Sequence, residues 1–174
     1  MKVSVQEEIA QIQMEKPQVV ILGAGASCAA FSEGDKNGRK LPVMDNFVEV
    51  LGLGDILSRV NIKFGSNNFE DIYDKLYQSE EFDGVRKELE KVVYDYFVRM
   101  EIPDEPTIYD HLLLSLRGKD VVATFNWDPL LVQAYRRNCK KADLPRLLFL
   151  HGNATQRGQP SKIEITPFPN LEHP

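Results

Sequence analysis

The sequence has few cysteines, no long apolar run and no concentration of charge of one sign. Each of these absences argues against a particular class of protein or type of site. Its two cysteines, Cys28 and Cys139, lie far apart and form no Cys-x-x-Cys pair. This argues against a zinc site within the chain and fits the reducing cytoplasm. The N-terminus has no apolar core typical of a signal peptide, and no later segment is predicted to span a membrane.

The charge balance gives no support to a nucleic-acid partner. The formal net charge is −5, and Lys and Arg form no dense run, although a local basic patch stays open. With 43% hydrophobic and 27% charged residues, the 174-residue chain has the composition of a globular protein. Its length predicts a single domain over residues 1–174.

The most informative stretch is residues 17–28, PQVVILGAGASC. Four apolar residues closed by glycine predict a strand buried on both faces, as in a parallel sheet. The small residues that follow can begin a helix whose unpaired N–H groups bind phosphate well. The pattern therefore indicates a diphosphate site, or else a strand-to-helix turn that binds nothing. An ordinary dinucleotide fold is disfavoured, because Cys28 replaces the usual third glycine.

Helices and loops are predicted between this strand and residue 118. An amphipathic helix over residues 4–15 precedes the strand, and residues 32–42 form a loop that is either a lid or a surface excursion. Residues 44–100 are mostly helical, with the clearest apolar periodicity over 84–100 and a cap at Asn67 or Asn68. A further helix is predicted over residues 107–116. The helical insertion in the α/β domain is predicted to run from about residue 54 to about residue 106.

Strand patterns return in the last third of the chain. Residues 120–125 precede Asn126-Trp127-Asp128, a helix is predicted over 129–138, and residues 147–150 lead into His151-Gly152. Ligands of open α/β sheets bind beyond the carboxyl ends of the strands, so GAGAS, FNWD and HGN are expected to meet if the strands are neighbours. Taken singly, Asn126 or Asp128 could cap the following helix, and His151 could be a hydrogen-bonded turn residue.

In this order, GAGAS, a loop with Gly38 and Pro42, TFNWD and LHG resemble the motifs of the sirtuin-like superfamily, most closely its divergent bacterial branch. The resemblance extends from about Val19 to Gly152, with residues 44–118 unmatched in detail. It implies a three-layer, Rossmann-like α/β fold with a parallel sheet and the helical insertion. It also implies that the chain is truncated before the second half of the sheet, so that either a further C-terminal domain or another copy of the chain completes the site.

By this resemblance the ligand is NAD, whose nicotinamide–ribose bond the domain cleaves without a metal. Asn126 and His151 are the implied catalytic residues, with His151 as general base. Histidine suits that role because its unperturbed pKa is about 6.5. The implied binding residues hold the diphosphate, line the nicotinamide pocket or lie beside them: Gly23, Ala24, Gly25, Ala26, Ser27, Pro42, Thr124, Asp128 and Gly152.

Three departures from the sirtuin deacylases shape the functional prediction. Phe125 stands where they carry glutamine, their Gly-Ile-Pro-Asp-Phe-Arg loop is reduced to residues 41–45, and their zinc-binding cysteines are absent. A cytoplasmic NAD glycohydrolase of the type that bacteria use in defence is therefore predicted ahead of a deacylase. The alternative from another class is a module that binds NAD or ADP-ribose without turnover.

Overall fold

The computed structural model describes residues 16–151, in which the three predicted strands form one parallel sheet. The strands are β1 (Val19–Leu22), β2 (Val121–Thr124) and β3 (Arg146–Phe149), in the spatial order β1-β2-β3. Leu22 pairs with Thr124, and Thr124 pairs with Phe149, so the three strands end level with one another. The predicted helix over residues 4–15, the tail from residue 154 and Gly152 lie outside the described residues.

Helices fill both connections between the strands, which makes the fold mixed α/β. Between β1 and β2 the helices are α1 (Ala24–Ala30), α2 (Phe47–Val50), α3 (Gly54–Leu57), α4 (Phe69–Tyr77), α5 (Asp83–Val98) and α6 (Ile108–Ser115), with a short 3₁₀ helix at Glu80–Phe82. Between β2 and β3 lies α7 (Leu130–Asn138). The predicted cap at Asn68 is confirmed, because its side chain accepts the N–H of Glu70 at 3.0 Å.

The hydrophobic core lies on one face of the sheet. Leu22 and Val122 are buried on that face, whereas Val19 and Ile21 on the other face are 65% and 66% exposed. The prediction that β1 is buried on both faces is therefore wrong for the described residues. The reason is topological: crossovers between parallel strands are right-handed. Two crossovers that step in the same direction cover the same face, and the order β1-β2-β3 has no reversal.

The loop over residues 32–42 is held by a buried carboxylate. Asp35 is 5% exposed and accepts the backbone N–H groups of Asn37, Arg39 and Glu101 at 2.8–3.1 Å. Gly34 has φ +97°, and a Cβ there would lie 2.6 Å from the carbonyl oxygen of Arg39, so this turn requires glycine. These bonds tie the loop to the chain just after α5. They favour an ordered surface loop over a movable lid.

Candidate functional site

A cavity of about 220 Å³ lies at the carboxyl ends of the strands. Residues of the GAGAS motif after β1 and of the FNWD motif after β2 meet there, together with His151 after β3. The loop before α2, which carries Leu41 and Pro42, forms one wall of the cavity. As far as residues 16–151 supply its lining, the cavity has many aromatic and apolar side chains and no Lys or Arg. Its described lining is Ala24, Ser27, Leu41, Pro42, Met44, Phe47, Glu70, Phe97, Phe125, Asn126, Trp127, Asp128 and His151.

The wall that carries Pro42 is fixed from two sides. The Cys28 Sγ–H donates to the carbonyl oxygen of Leu41 at 3.1 Å, and the Tyr96 hydroxyl donates to that of Lys40 at 2.6 Å. These bonds join the residues just before Pro42 to α1 and α5. Pro42 therefore occupies a defined place on the cavity wall.

Ser27 is the centre of a buried hydrogen-bond network. Its Oγ–H donates to Asp128 Oδ2 at 2.7 Å, and its Oγ accepts Asn126 Nδ2–H at 2.7 Å. The hydroxyl of Tyr109 lies 2.6 Å from the same Oγ. A serine hydroxyl has one donor hydrogen and two acceptor lone pairs, so Tyr109 donates to Ser27 once that hydrogen is directed to Asp128. All the hydrogen-bonding capacity of Ser27 is then used.

The amide of Asn126 can adopt only one orientation in this network. Its Nδ2 donates to the carbonyl oxygen of Gly23 at 3.0 Å as well as to Ser27. Exchanging the amide oxygen and nitrogen would place two acceptors against each other, because a carbonyl oxygen cannot donate. The amide oxygen Oδ1 is thus directed away from both groups, and it is buried with no hydrogen-bond partner among the described residues. Such a buried acceptor calls for a donor that the described chain does not supply.

Asp128 is a buried carboxylate with two protein donors. In addition to the Ser27 bond, its Oδ1 accepts the N–H of Leu130 at 3.1 Å, at the start of α7. Burial raises the pKa of Asp128, although the hydrogen bonds from Ser27 and Leu130 act in the opposite direction. Asp128 therefore does cap the start of α7, as one of the two interpretations of the sequence expected, and it also accepts the Ser27 hydroxyl. The Asn126 side chain bonds to Gly23 and Ser27 and does not cap α7.

Tyr109 is a member of the network that the sequence analysis missed. It lies in α6, is 2% exposed, and packs its ring edge-on against Phe31 with centroids 5.3 Å apart. Burial is the main reason that its pKa is raised, so its hydroxyl stays protonated and able to donate. No local pattern marks it, because a tyrosine on the apolar side of a helix reads as core packing.

His151 lies at the rim of the cavity and is exposed. Its ring makes a T-shaped contact with Phe125, with centroids 5.0 Å apart and an interplanar angle of 75°. An imidazole in this position can reach both solvent and the contents of the cavity. That is the placement that a base needs if it is to activate a water molecule.

The two glycines of GAGAS do not adopt conformations that require glycine. Gly23 has φ −114° and caps α1, and an added Cβ at Gly23 or Gly25 would meet no atom within 4 Å. The fold therefore has room for a Cβ at both positions, and the space beside them is open. In the first turn of α1, the backbone N–H of Ala26 donates to the carbonyl oxygen of Gly23 at 2.9 Å.

The structure brings some of the predicted site residues to the cavity and places others around it. Ala24, Ser27, Pro42, Asn126, Asp128 and His151 line the cavity. Four others are not among the described lining residues: Gly23, Gly25, Ala26 and Thr124. Of these, Thr124 supports the site indirectly, because its Oγ1 accepts the N–H of Asn126 at 3.0 Å.

Within residues 16–151 the structure contains no group of three or more His, Cys, Asp or Glu side chains placed to hold a metal ion. The same part of the chain contains no helix with the length and apolar character to cross a membrane. No family model matches the sequence, and a search of curated proteins finds no match.

Proposed function

We propose that this chain is a sirtuin-like NAD glycohydrolase domain that hydrolyses the nicotinamide–ribose bond of NAD. The observation that carries the proposal is the side chain of Asn126. Its Oδ1 has no hydrogen-bond partner among the described residues, and Asn126 lines a cavity at the carboxyl ends of three parallel strands. A carboxamide N–H of nicotinamide is the type of donor that this buried acceptor lacks. The proposal includes a three-layer Rossmann-like domain, whose third layer would have to cover the face of the sheet on which Val19 and Ile21 are exposed. It also includes a cytoplasmic role in bacterial defence.

The size and lining of the cavity suit one end of a dinucleotide. Pockets that enclose a drug-sized ligand measure roughly 300–1,000 Å³, so a cavity of about 220 Å³ encloses a nicotinamide ring and little more. Phe47, Phe97 and Trp127 supply flat apolar walls for an aromatic ring. The diphosphate would then lie outside the cavity, along the open space beside Gly23 and Gly25.

The proposed reaction needs little from the protein beyond binding and one base. The C–N bond between ribose and nicotinamide breaks, the bonding electrons leave with the neutral nicotinamide, and the ribose becomes oxocarbenium-like. Water adds to the ribose carbon, and His151 accepts its proton, which yields ADP-ribose, nicotinamide and one proton. Positioned bases of this kind contribute a factor of about 10²–10⁴ in rate.

The first test is an assay of nicotinamide release by the longest natural form of the protein, beside calorimetry with NAD and with ADP-ribose. We expect release without any acylated peptide, and a loss of about 10²–10⁴-fold in His151→Ala while NAD still binds. We also expect the nicotinic-acid analogue of NAD to bind more weakly, because its carboxylate offers no donor to Asn126 Oδ1. A protein that neither binds nor cleaves NAD contradicts the proposal.

A matched pair of asparagines separates a binding role from a structural one. Asn138 is also buried, and its Nδ2 donates to Asp110 Oδ1 at 2.6 Å and to the carbonyl oxygen of Ala134 at 2.8 Å, away from the cavity. Each alanine variant leaves buried acceptors unpaired and should lose about 1–3 kcal/mol of stability. Only Asn126→Ala should lose NAD cleavage per folded molecule. Equal cleavage by the two variants would make Asn126 purely structural.

One observation favours the second candidate, a module that binds NAD or ADP-ribose without turnover. Among the described residues, no side chain forms a hydrogen bond with the His151 imidazole, whereas catalytic bases are commonly oriented by such a bond. Calorimetric binding of NAD without nicotinamide release would select this second candidate.

A further inference from the structure

We propose that Phe125 is a positioning residue that holds the His151 imidazole at the mouth of the cavity. The inference rests on the proposed function, because it assigns to Phe125 the orientation of the proposed base. It also gives a role to the residue that replaces the glutamine of the sirtuin deacylases.

The backbone places the two residues side by side. The N–H of Phe125 donates to the carbonyl oxygen of Leu22 at 3.0 Å, and the N–H of Leu150 donates to that of Thr124 at 2.8 Å. These bonds continue the sheet one residue beyond the ends of β2 and β3. Phe125 and His151 therefore leave the sheet from neighbouring, fixed positions.

The Phe125 side chain contributes little to the core. It is 44% exposed, whereas Phe31, Phe47, Phe69 and Phe97 are each at most 5% exposed. Its ring makes a T-shaped contact with the imidazole of His151, and both rings line the cavity. An aromatic ring left at the surface in contact with one functional side chain points to a role at the site rather than in folding.

The contact matters because His151 has no hydrogen bond among the described residues that would set its ring orientation. A general base must keep its nitrogen within hydrogen-bond reach of the proton that it removes. The edge-to-face arrangement is one that aromatic rings prefer, so the contact with Phe125 favours this orientation of the imidazole over others. Histidine bases are commonly oriented by a hydrogen bond, and here the ring contact with Phe125 takes the place of that bond.

The test compares Phe125→Leu, which removes the ring but keeps apolar volume, with Phe125→Tyr, which keeps the ring. Both are made in the longest natural protein, with and without His151→Ala, and kcat and KM for nicotinamide release from NAD are measured. We expect Phe125→Leu to lower kcat about three- to tenfold, the rate equivalent of one aromatic pair, with KM nearly unchanged. Phe125→Tyr should retain the parent kcat.

The His151→Ala background identifies the route of the effect. If Phe125 acts through His151, Phe125→Leu has no further effect on kcat once the imidazole is gone. An equal fall in both backgrounds would mean that Phe125 contacts the substrate itself and would overturn the inference, as would a parent-like kcat for Phe125→Leu in the presence of His151.

A spectroscopic measurement keeps the inference testable apart from catalysis. In NMR spectra, the ring current of Phe125 should displace the imidazole proton resonances of His151 in the parent and in Phe125→Tyr, and the displacement should vanish in Phe125→Leu. Imidazole resonances that do not respond to Phe125→Leu would overturn the positioning role. A parent protein that releases no nicotinamide would instead contradict the proposed function.

Discussion

Asp110 and Asp128 are both buried carboxylates, and the polar clusters around them differ in how completely their groups are paired. Asp110, in α6, accepts the N–H and O–H groups of Thr107 at 2.6 and 2.7 Å and Asn138 Nδ2–H at 2.6 Å. The guanidinium of Arg137, in α7, donates to both of its oxygens. Near Asp128, by contrast, Asn126 lines the cavity and its Oδ1 has no hydrogen-bond partner within the described part of the chain.

The pKa shifts of the two carboxylates have opposite signs. Burial alone would raise the pKa of Asp110, but the hydrogen bonds from Arg137, Thr107 and Asn138 outweigh it and hold the pKa well below its usual range. For Asp128, burial outweighs the bonds from Ser27 and Leu130 and raises the pKa. The Asp110 cluster is therefore built to stabilise the joint between α6 and α7. In the Asp128 cluster, one acceptor, Asn126 Oδ1, has no hydrogen-bond partner among residues 16–151.

The largest expected effect is on stability, when the Asp110 cluster loses its cation. Arg137→Met leaves a buried carboxylate without its charge partner and should destabilise the fold by about 3 kcal/mol, because an unpaired buried charge is costly. Denaturant unfolding measures this, and NAD affinity per folded molecule should not change. The control is Arg136→Met at the exposed neighbouring residue, which should change stability by less than about 0.5 kcal/mol. Equal effects of the two variants would remove the distinction between the clusters.

A second, smaller effect separates two glycines by whether the fold uses them. Gly34→Ala should cost about 1–2 kcal/mol or more, because φ is +97° there and a Cβ would meet the Arg39 carbonyl oxygen. Gly25→Ala should stabilise α1 by about 0.5–1 kcal/mol, since alanine favours helix and the space is open.

The larger variant Gly25→Val should remain folded yet lose nucleotide binding, measured by calorimetry with NAD. Destabilisation by Gly25→Val with binding intact would mean that the glycine serves the turn and not a diphosphate.

The smallest expected effects concern pH and differ in sign between the two carboxylates. The lowered pKa of Asp110 stabilises the fold above the unfolded-state pKa of about 3.9, and this contribution is lost as pH falls towards the folded-state pKa. The stability deficit of Asp110→Asn should therefore shrink below about pH 4. The raised pKa of Asp128 means that its ionisation at neutral pH destabilises the fold. The stability of Asp128→Asn relative to the parent should therefore be higher at neutral pH than at acid pH. Parallel pH profiles for the two variants, measured by thermal unfolding, would contradict the contrast.

Local patterns were sufficient to predict most elements of the described chain. Apolar runs closed by glycine or polar residues marked the three strands, and apolar periodicity marked α5 and α7. The strand ends also identified Ser27, Asn126, Asp128 and His151, which all line the cavity. These signals work because parallel strands place their carboxyl ends at one edge of the sheet.

Other features depend on contacts between distant segments. Tyr109 reaches Ser27 across 82 positions of sequence, and the aromatic wall combines Phe47, Phe97 and Trp127 from separate parts of the chain. In the sequence, these residues cannot be distinguished from ordinary core residues. The exposed face of β1 was missed for a related reason, because four apolar residues do not reveal on which side the crossovers pass.

The sequence by itself determined which residue types stand at the strand ends, because strand, turn and helix signals are local. Tertiary structure alone decided that the Asn126 amide directs its nitrogen to Gly23 and Ser27, and that its oxygen meets no donor from the described residues. The physical reason is that an amide's orientation depends on which donors and acceptors surround it. Those groups come from β1, α1 and the end of β2, and only the folded chain brings them together.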